Sequence, residues 1–258
     1  MKIRMKFFIF IIGLIICFPG FTTYPSCQEL PFQPGEKLTF NLTWNLIPAG
    51  TATLEVLPVE TMNGVESLHF VFTAKTTPFL DHIYKVRNRV DSYTDTNMTR
   101  SVLYKKTVQE GRRKADIEVT FNWEENLAQY SNFGVRKKPI PIQPGTFDPF
   151  SIFYYARMLD IGKGPEINQP VTDGRQFAIG AAKVIKRETI NVPTGKYDAY
   201  LIEPDLKNIG GVFSKNPDAK IYLWVSADQH KIPVKVKSSV TIGSFVGELV
   251  SVENLKSR

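Results

Sequence analysis

The sequence predicts a mainly β protein: a large, strongly curved antiparallel sheet or partly open β-barrel, with one buried aromatic helix. Three observations carry this. Apolar and polar residues alternate with period two along most of the chain beyond residue 36. Gly, Pro and Asn turn signals separate the alternating runs. Helical patterning is almost confined to one aromatic stretch, residues 149–159. The 258 residues are 43% apolar and 22% charged, which excludes a collagen, a coiled coil or a wholly disordered chain. Two cysteines exclude a disulfide-rich scaffold.

Taken in order, the chain opens with Lys2, Arg4 and Lys6 and then an apolar run of twelve residues, Phe7 to Phe18. A membrane-spanning helix needs about 20 such residues. A basic start, a short apolar centre and a polar exit are the pattern of a secretory signal peptide. This reading assigns residues 1–26 to the signal and residues 27–258 to one β-rich domain, placed in the periplasm. Cys27 after Ser26 raises the alternative of a lipid-modified N-terminus and membrane association, with Tyr24 standing where such signals carry Leu. Cleavage at 26 would remove Cys17 and three cations. The formal charge would fall from +7 to +4, with 29 Lys and Arg against 25 Asp and Glu. The basic character is therefore partly a targeting feature, and nucleic acid is not an expected partner.

The first strand signal is Lys37 to Leu46, with Leu38, Phe40, Leu42, Trp44 and Leu46 on one face. Ala52, Leu54 and Val56 continue it, then Leu68, Phe70, Phe72 and Ala74, then Ile117, Val119, Phe121 and Trp123. Late in the chain come Ile221, Leu223 and Val225, and Ile232, Val234 and Val236. Turns are expected at Pro48-Ala49-Gly50, Asn63-Gly64, Glu110-Gly111, Pro193-Thr194-Gly195 and Ile242-Gly243. Such short connections imply antiparallel neighbours. A short helix is expected over Pro78 to Tyr84. A second should start at Asp148 as N-cap, with Pro149 at the first helical position, and run to about Asp160. The loop 132–147 divides two strand-rich halves, and one continuous sheet across it is the preferred reading.

The strand signals number about ten to thirteen, at the size where an open sheet curls, splits or closes. A barrel of that width has more interior than its own strand side chains fill. The aromatic helix can fill it as core, or it can wall a ligand pocket. The candidate ligand-binding residues are Phe150, Phe153, Tyr154, Trp44 and Trp224. Lys85, Arg87 and Arg89 alternate along a strand with Asp91 next. They form a candidate cationic face, or a solvated face with Asp91 pairing locally.

No catalytic motif is found: no Gly-x-Ser-x-Gly elbow, P-loop or dinucleotide fingerprint. Gly180-Ala181-Ala182 and Gly210-Gly211 are too slight to imply phosphate binding. His69, His82 and His230 have no metal-ligand spacing, and His69 is expected to face solvent. Asp91, Asp95, Asp116 and Glu118 lie near strand ends without indicating a catalytic pair. No cofactor or metal is expected.

Several separated motifs then fall into a familiar order. They are Phe32-Gln33-Pro34-Gly35-Glu36-Lys37-Leu38, Trp44 with Ile47-Pro48-Ala49-Gly50-Thr51-Ala52, and Asp148-Pro149-Phe150-Ser151 with Tyr154-Tyr155-Ala156-Arg157. Val192-Pro193-Thr194-Gly195-Lys196-Tyr197, Trp224-Val225-Ser226-Ala227-Asp228 and Ile232-Pro233-Val234 complete the set. The chain resembles the bacterial exported family catalogued as domain of unknown function 3108. That resemblance implies export and a β-rich fold, and brings no activity or cofactor. In fold style it also resembles the periplasmic carriers of lipoproteins, and fold does not fix function. The expectation is a non-enzymatic binding or carrier module for a lipid or other amphipathic envelope ligand. The alternatives are a structural or protein-interaction component of the envelope and, last, an envelope hydrolase.

Overall fold

A computed structural model describes residues 29–163, 168–205, 220–240 and 243–257. The leader 1–26, Cys27, the Gly210-Gly211 pair and Ile242 lie outside the described residues.

Long strands form where the alternation is longest. They are β1 Lys37–Trp44, β2 Ile47–Met62, β3 Val65–Thr76, β4 Val86–Asp95, β5 Ser101–Glu110, β6 Arg113–Asn122 and β7 Leu127–Asn132. After the middle of the chain come β12 Ala182–Val192, β13 Gly195–Pro204, β14 Lys220–Ser226, β15 Pro233–Val240 and β16 Gly243–Glu253. Short strands are β8 Val135–Arg136, β9 Ile140–Pro141, β10 Gln169–Thr172 and β11 Phe177–Gly180. The helices are α1 Pro78–Asp81 and α2 Ser151–Met158, with a 3₁₀ turn at Ile161–Lys163.

Among the described residues, one antiparallel sheet of 14 strands runs β12-β13-β14-β15-β16-β1-β2-β3-β4-β5-β6-β7-β8, with β9 also on β7. The C-terminal strand β16 lies beside β1, so the two halves of the chain are joined at the middle of the sheet. Loop 132–147 thus divides no sheet. It supplies β8 and β9, and together with the separate β10–β11 hairpin these short strands take the count above the expected range.

The sheet curls without closing: among the described residues its ends, β12 and β8, do not pair. Both ends are ill suited to further pairing. β8 has two residues, and β12 presents exposed Lys183, Lys186 and Arg187. The β12–β13 hairpin folds back over β16, where the Thr194 hydroxyl donates to the Leu249 carbonyl. Leu38, Phe40 and Leu249 there share one core with Val192, Ala199 and Val234. A second core joins Phe32, Val56, Phe70 and Phe147 to Tyr154 of α2. A third, including Val90, Val119, Ala128 and Tyr130, lies on β4–β7.

Two local readings need correction. The turn expected at 48–50 lies at Asn45-Leu46, with φ of 46° and 72°, and Pro48-Ala49-Gly50 runs inside β2. Gly50 is required there by a close approach, since a Cβ would lie 2.1 Å from the Lys75 carbonyl oxygen of β3. The helices are also shorter than expected. α1 ends at Asp81, and α2 covers eight residues, its first turn displaced to Ser151 by the Pro149-Phe150 turn. At Asn63-Gly64 the expected hairpin turn is present, with φ of 51° and 79°.

Candidate functional site

The site is built round α2. The N-cap position falls on Phe150 rather than on Asp148 as expected, but Asp148 still serves the helix start: its Oδ1 accepts from the backbone amides of Phe150 and Ser151, both at 2.9 Å. Its Oδ2 accepts from the Ser92 hydroxyl at 2.7 Å and the Ser101 hydroxyl at 2.6 Å. Ser101 Oγ in turn accepts from the Asp148 amide at 2.7 Å and lies 2.9 Å from Ser151 Oγ. Asp148, Ser92, Ser101 and Ser151 are each fully buried. This closed polar knot fixes the helix start to β4 and β5.

The inward stripe of α2 is Ser151, Tyr154 and Arg157. The sequence predicted a helix apolar on all sides, and a buried arginine was not foreseen. Tyr154 stacks on Phe70 at 3.9 Å between centroids and meets Phe32 edge-on at 5.3 Å. Burial raises its phenol above the ordinary tyrosine range. Arg157 is 1% exposed and forms a two-pronged ion pair with Glu36, Nη1 to Oε1 at 2.5 Å and Nη2 to Oε2 at 3.0 Å. Its Nε donates to the His230 carbonyl at 3.0 Å and its Nη2 to the Pro31 carbonyl at 3.4 Å. One guanidinium thereby joins α2 to the segment before β1 and to the β14–β15 turn. The planar fork of Arg suits this; a Lys would not satisfy it.

The remaining sides of α2 are only half-buried. Between Ile152, Phe153 and Ala156 on the helix and Ile202, Leu223 and Val225 on β13–β14 lies a groove of about 300 Å³. Val171 of β10 and Ile161 complete an almost wholly apolar wall, with Arg157 at its margin.

The candidate residues separate. Phe153 lines the groove. Phe150 and Tyr154 pack toward Phe72 and Phe70 instead. Trp44 stacks on Phe245 at 6.4 Å, and Trp224 donates its indole N–H to Glu188 at 3.0 Å; neither borders the groove. Arg89 is held by Asp91, the local pairing weighed for this face, and Arg87 by Asp81, a pairing not foreseen. Lys85 precedes β4.

His69 does not face solvent. It is 6% exposed, with Nδ1 at 2.7 Å from Glu60, Nε2 at 2.9 Å from Asp91, and its ring stacked on Tyr93. The two neighbouring strands, β2 and β4, supply partners that cover the position on the polar face. Burial alone would raise the Asp91 carboxyl. Hydrogen bonds from His69 and Arg89, with the Arg89 charge, prevail and hold it at about 2. Among the described residues no group of three His, Cys, Asp or Glu side chains is placed to hold a metal. No helix among them is long and apolar enough to cross a membrane.

A rolled antiparallel sheet folded about one anchored helix defines a β-barrel-like scaffold. The chain matches the family model "Protein of unknown function (DUF3108)" over residues 39–250, and it belongs to that family. Its fold is similar to the β-barrel-like protein of domain DUF1849 from Brucella abortus, with TM-score 0.56 and 10% identity over 86% of this chain and 98% of that one. At that identity the likeness shows the fold alone. Weaker likenesses are to a candidate lipoprotein of Parabacteroides distasonis, TM-score 0.36 at 10% identity over 86% and 97% of the chains. A candidate exported protein of Bacteroides fragilis with a YmcC-like fold gives TM-score 0.33 at 9% identity over 87% and 98%. No curated protein matches the sequence.

Proposed function

We propose that this chain is an exported, non-enzymatic carrier or binding protein of the cell envelope that shelters the apolar part of an amphipathic ligand beside α2. The apolar groove of about 300 Å³ carries this reading. Its size lies at the lower bound of small-ligand sites, and aliphatic walls with few polar groups are what such sites use. Export is supported by the basic and apolar pattern of residues 2–18. Asp148 and its serines are buried, so we read that cluster as structural rather than catalytic.

The test is native mass spectrometry of protein purified from its own envelope, beside an Ala156→Trp variant that fills the groove. The expected result is a co-purifying amphiphile on the parent chain and its loss from a folded variant. A parent chain that carries no amphiphile and binds no added fatty acid refutes the reading.

A second reading, an interaction component of the envelope, is favoured by one observation. Phe79, Ile83 and Tyr84 stand 70%, 72% and 53% exposed around α1. Exposed apolar residues gathered in one loop mark contact surfaces. Site-specific crosslinking from residue 79 in cells should then yield one discrete product, and its absence counts against that reading.

A further inference from the structure

The concave face of β5–β7 holds a second pocket, of about 330 Å³, separate from the groove. Its walls carry Lys106, Arg113, Lys114 and Arg175, with Asp173 the one carboxylate among the lining residues. Two of these cations are already engaged: Arg113 pairs with Glu110 at 2.6 Å, and Arg175 with Asp173 at 2.7 Å. Lys106 is different. It is half-buried, and among the described residues no carboxylate lies within ion-pairing distance of its ammonium. Burial lowers its pKa, with the nearby Arg113 and Arg175 charges acting the same way and Glu110 and Asp173 against. A half-buried ammonium without a counter-ion is costly, and an anion seated beside it would offset that cost.

The second observation is independent. Tyr104 is 6% exposed, lines the same pocket, and its hydroxyl makes no hydrogen bond among the described residues. Among the described residues every fully enclosed side-chain nitrogen or oxygen has a partner. The unpartnered Tyr104 oxygen is therefore not enclosed and opens onto the pocket space. Burial, then the Asp148 and Asp173 carboxylates, raise its phenol, so it stays protonated and can only donate to an incoming oxyanion. The turn that brings Arg175 is pressed firmly onto the sheet: a Cβ on Gly174, at φ +79°, would lie 2.8 Å from Val119. Arg175 then sits 5.5 Å over the Tyr130 ring at the pocket wall.

The geometry points to an oxyanion-binding site, with Lys106 and the Tyr104 hydroxyl as its two contacts and Arg175 as a fixed neighbouring charge. The ligand class is a phosphate or carboxylate group, either free or as the headgroup of an amphiphile. Pro149 borders both this pocket and the apolar groove, and β10 with the turn after it contributes Val171 to one and Asp173 to the other. The site stands without the carrier reading, since neither Lys106 nor Tyr104 touches the groove.

The experiment is calorimetric titration at physiological salt with two anionic probes, inorganic phosphate and a short-chain phosphatidic acid below its micelle concentration, and one uncharged apolar probe, a medium-chain alcohol. The proteins are the parent, Lys106→Met, Tyr104→Phe and Lys105→Met, the last on an exposed residue paired to Glu118. A lost charged contact is expected to weaken binding at least tenfold in Lys106→Met, and a lost hydroxyl about threefold or more in Tyr104→Phe. Lys105→Met should match the parent, and circular dichroism should show all four folded. Phosphate binding that depends on Lys106 identifies a free anion; binding of the lipid alone with the same dependence identifies a headgroup. Failure of both anionic probes, or anion binding unchanged by Lys106→Met, overturns the site. An uncharged apolar probe that binds Lys106→Met like the parent keeps the groove reading alive when the anion site fails. Phosphate binding without any apolar probe binding would do the reverse.

Discussion

The Arg157–Glu36 pair offers the most exacting test of how the helix is held. Both side chains are 1% exposed, so Arg157→Met strips the carboxylate of its two guanidinium contacts and leaves it buried. It also frees the His230 and Pro31 carbonyls. Breaking one side of a buried pair costs about 3–5 kcal/mol. Domains have about 5–15 kcal/mol in all. Glu36→Gln, which retains the side chain's shape, should fall at the lower end. The double variant Arg157→Met, Glu36→Gln should cost less than the sum of the singles, because no charge is left buried. Urea unfolding followed by tryptophan fluorescence reads this directly. With a slope of about 1–3 kcal/mol per molar, Arg157→Met should move the midpoint down by on the order of 1 M or more. A single substitution that costs under about 1 kcal/mol, or strictly additive costs in the double, would refute the claim that this pair anchors α2.

Three further outcomes are expected. Asp148→Ala removes the acceptor of two helix-start amides and of two buried hydroxyls, so it should cost about 3 kcal/mol in the same assay; a loss below 1 would contradict the anchoring role of the serine knot. Gly50→Ala forces a methyl against the Lys75 backbone oxygen and should cost about 1–3 kcal/mol, whereas a neutral result would mean β2 and β3 separate freely there. Asp91, held at about 2 against an ordinary value near 4, lends stability that is complete above pH of about 4 and lost as pH falls through about 2. With Arg89 half-exposed the contribution is about 1 kcal/mol, and an Asp91→Asn variant should lack that acid-dependent fraction; an identical acid profile would dismiss it.

The long strands were legible because each has a buried and a wetter face, as in Leu38 and Phe40 against Thr39 and Asn41. The role of Asp148 at the helix start was legible because its contacts with the Phe150 and Ser151 amides are local, although the cap position itself falls on Phe150. The Asn45-Leu46 turn was not, since Leu is a poor signal for a left-handed turn and the Pro-Ala-Gly beside it is a strong one. Distant pairings were equally silent. Glu36 and Arg157 are 121 residues apart, and spacing along the chain says nothing of their meeting. His69 shows the same limit: its alternation was read correctly, but its partners come from β2 and β4, which only the sheet register brings alongside. Lys106 and Tyr104 obey the alternation, yet a lysine on the concave face looks in sequence like any other strand lysine.

Why a helix fixed by ions and capping, rather than by grease alone, suits this fold follows from the open sheet. An apolar plug in a rolled wall can slide or turn at little cost, because hydrophobic burial has no direction. The Asp148 knot at one end of α2 and the Arg157 fork at the other set both the position and the rotation of the helix through directional bonds. With the helix so held, its Ile152–Phe153–Ala156 side need not be packed solid for the fold to persist, and a groove can remain beside it. Were the helix positioned by packing alone, filling the groove with Ala156→Trp would shift α2 and disturb Tyr154 against Phe70. Anchored as it is, the same substitution should leave that aromatic stack in place and block only the groove.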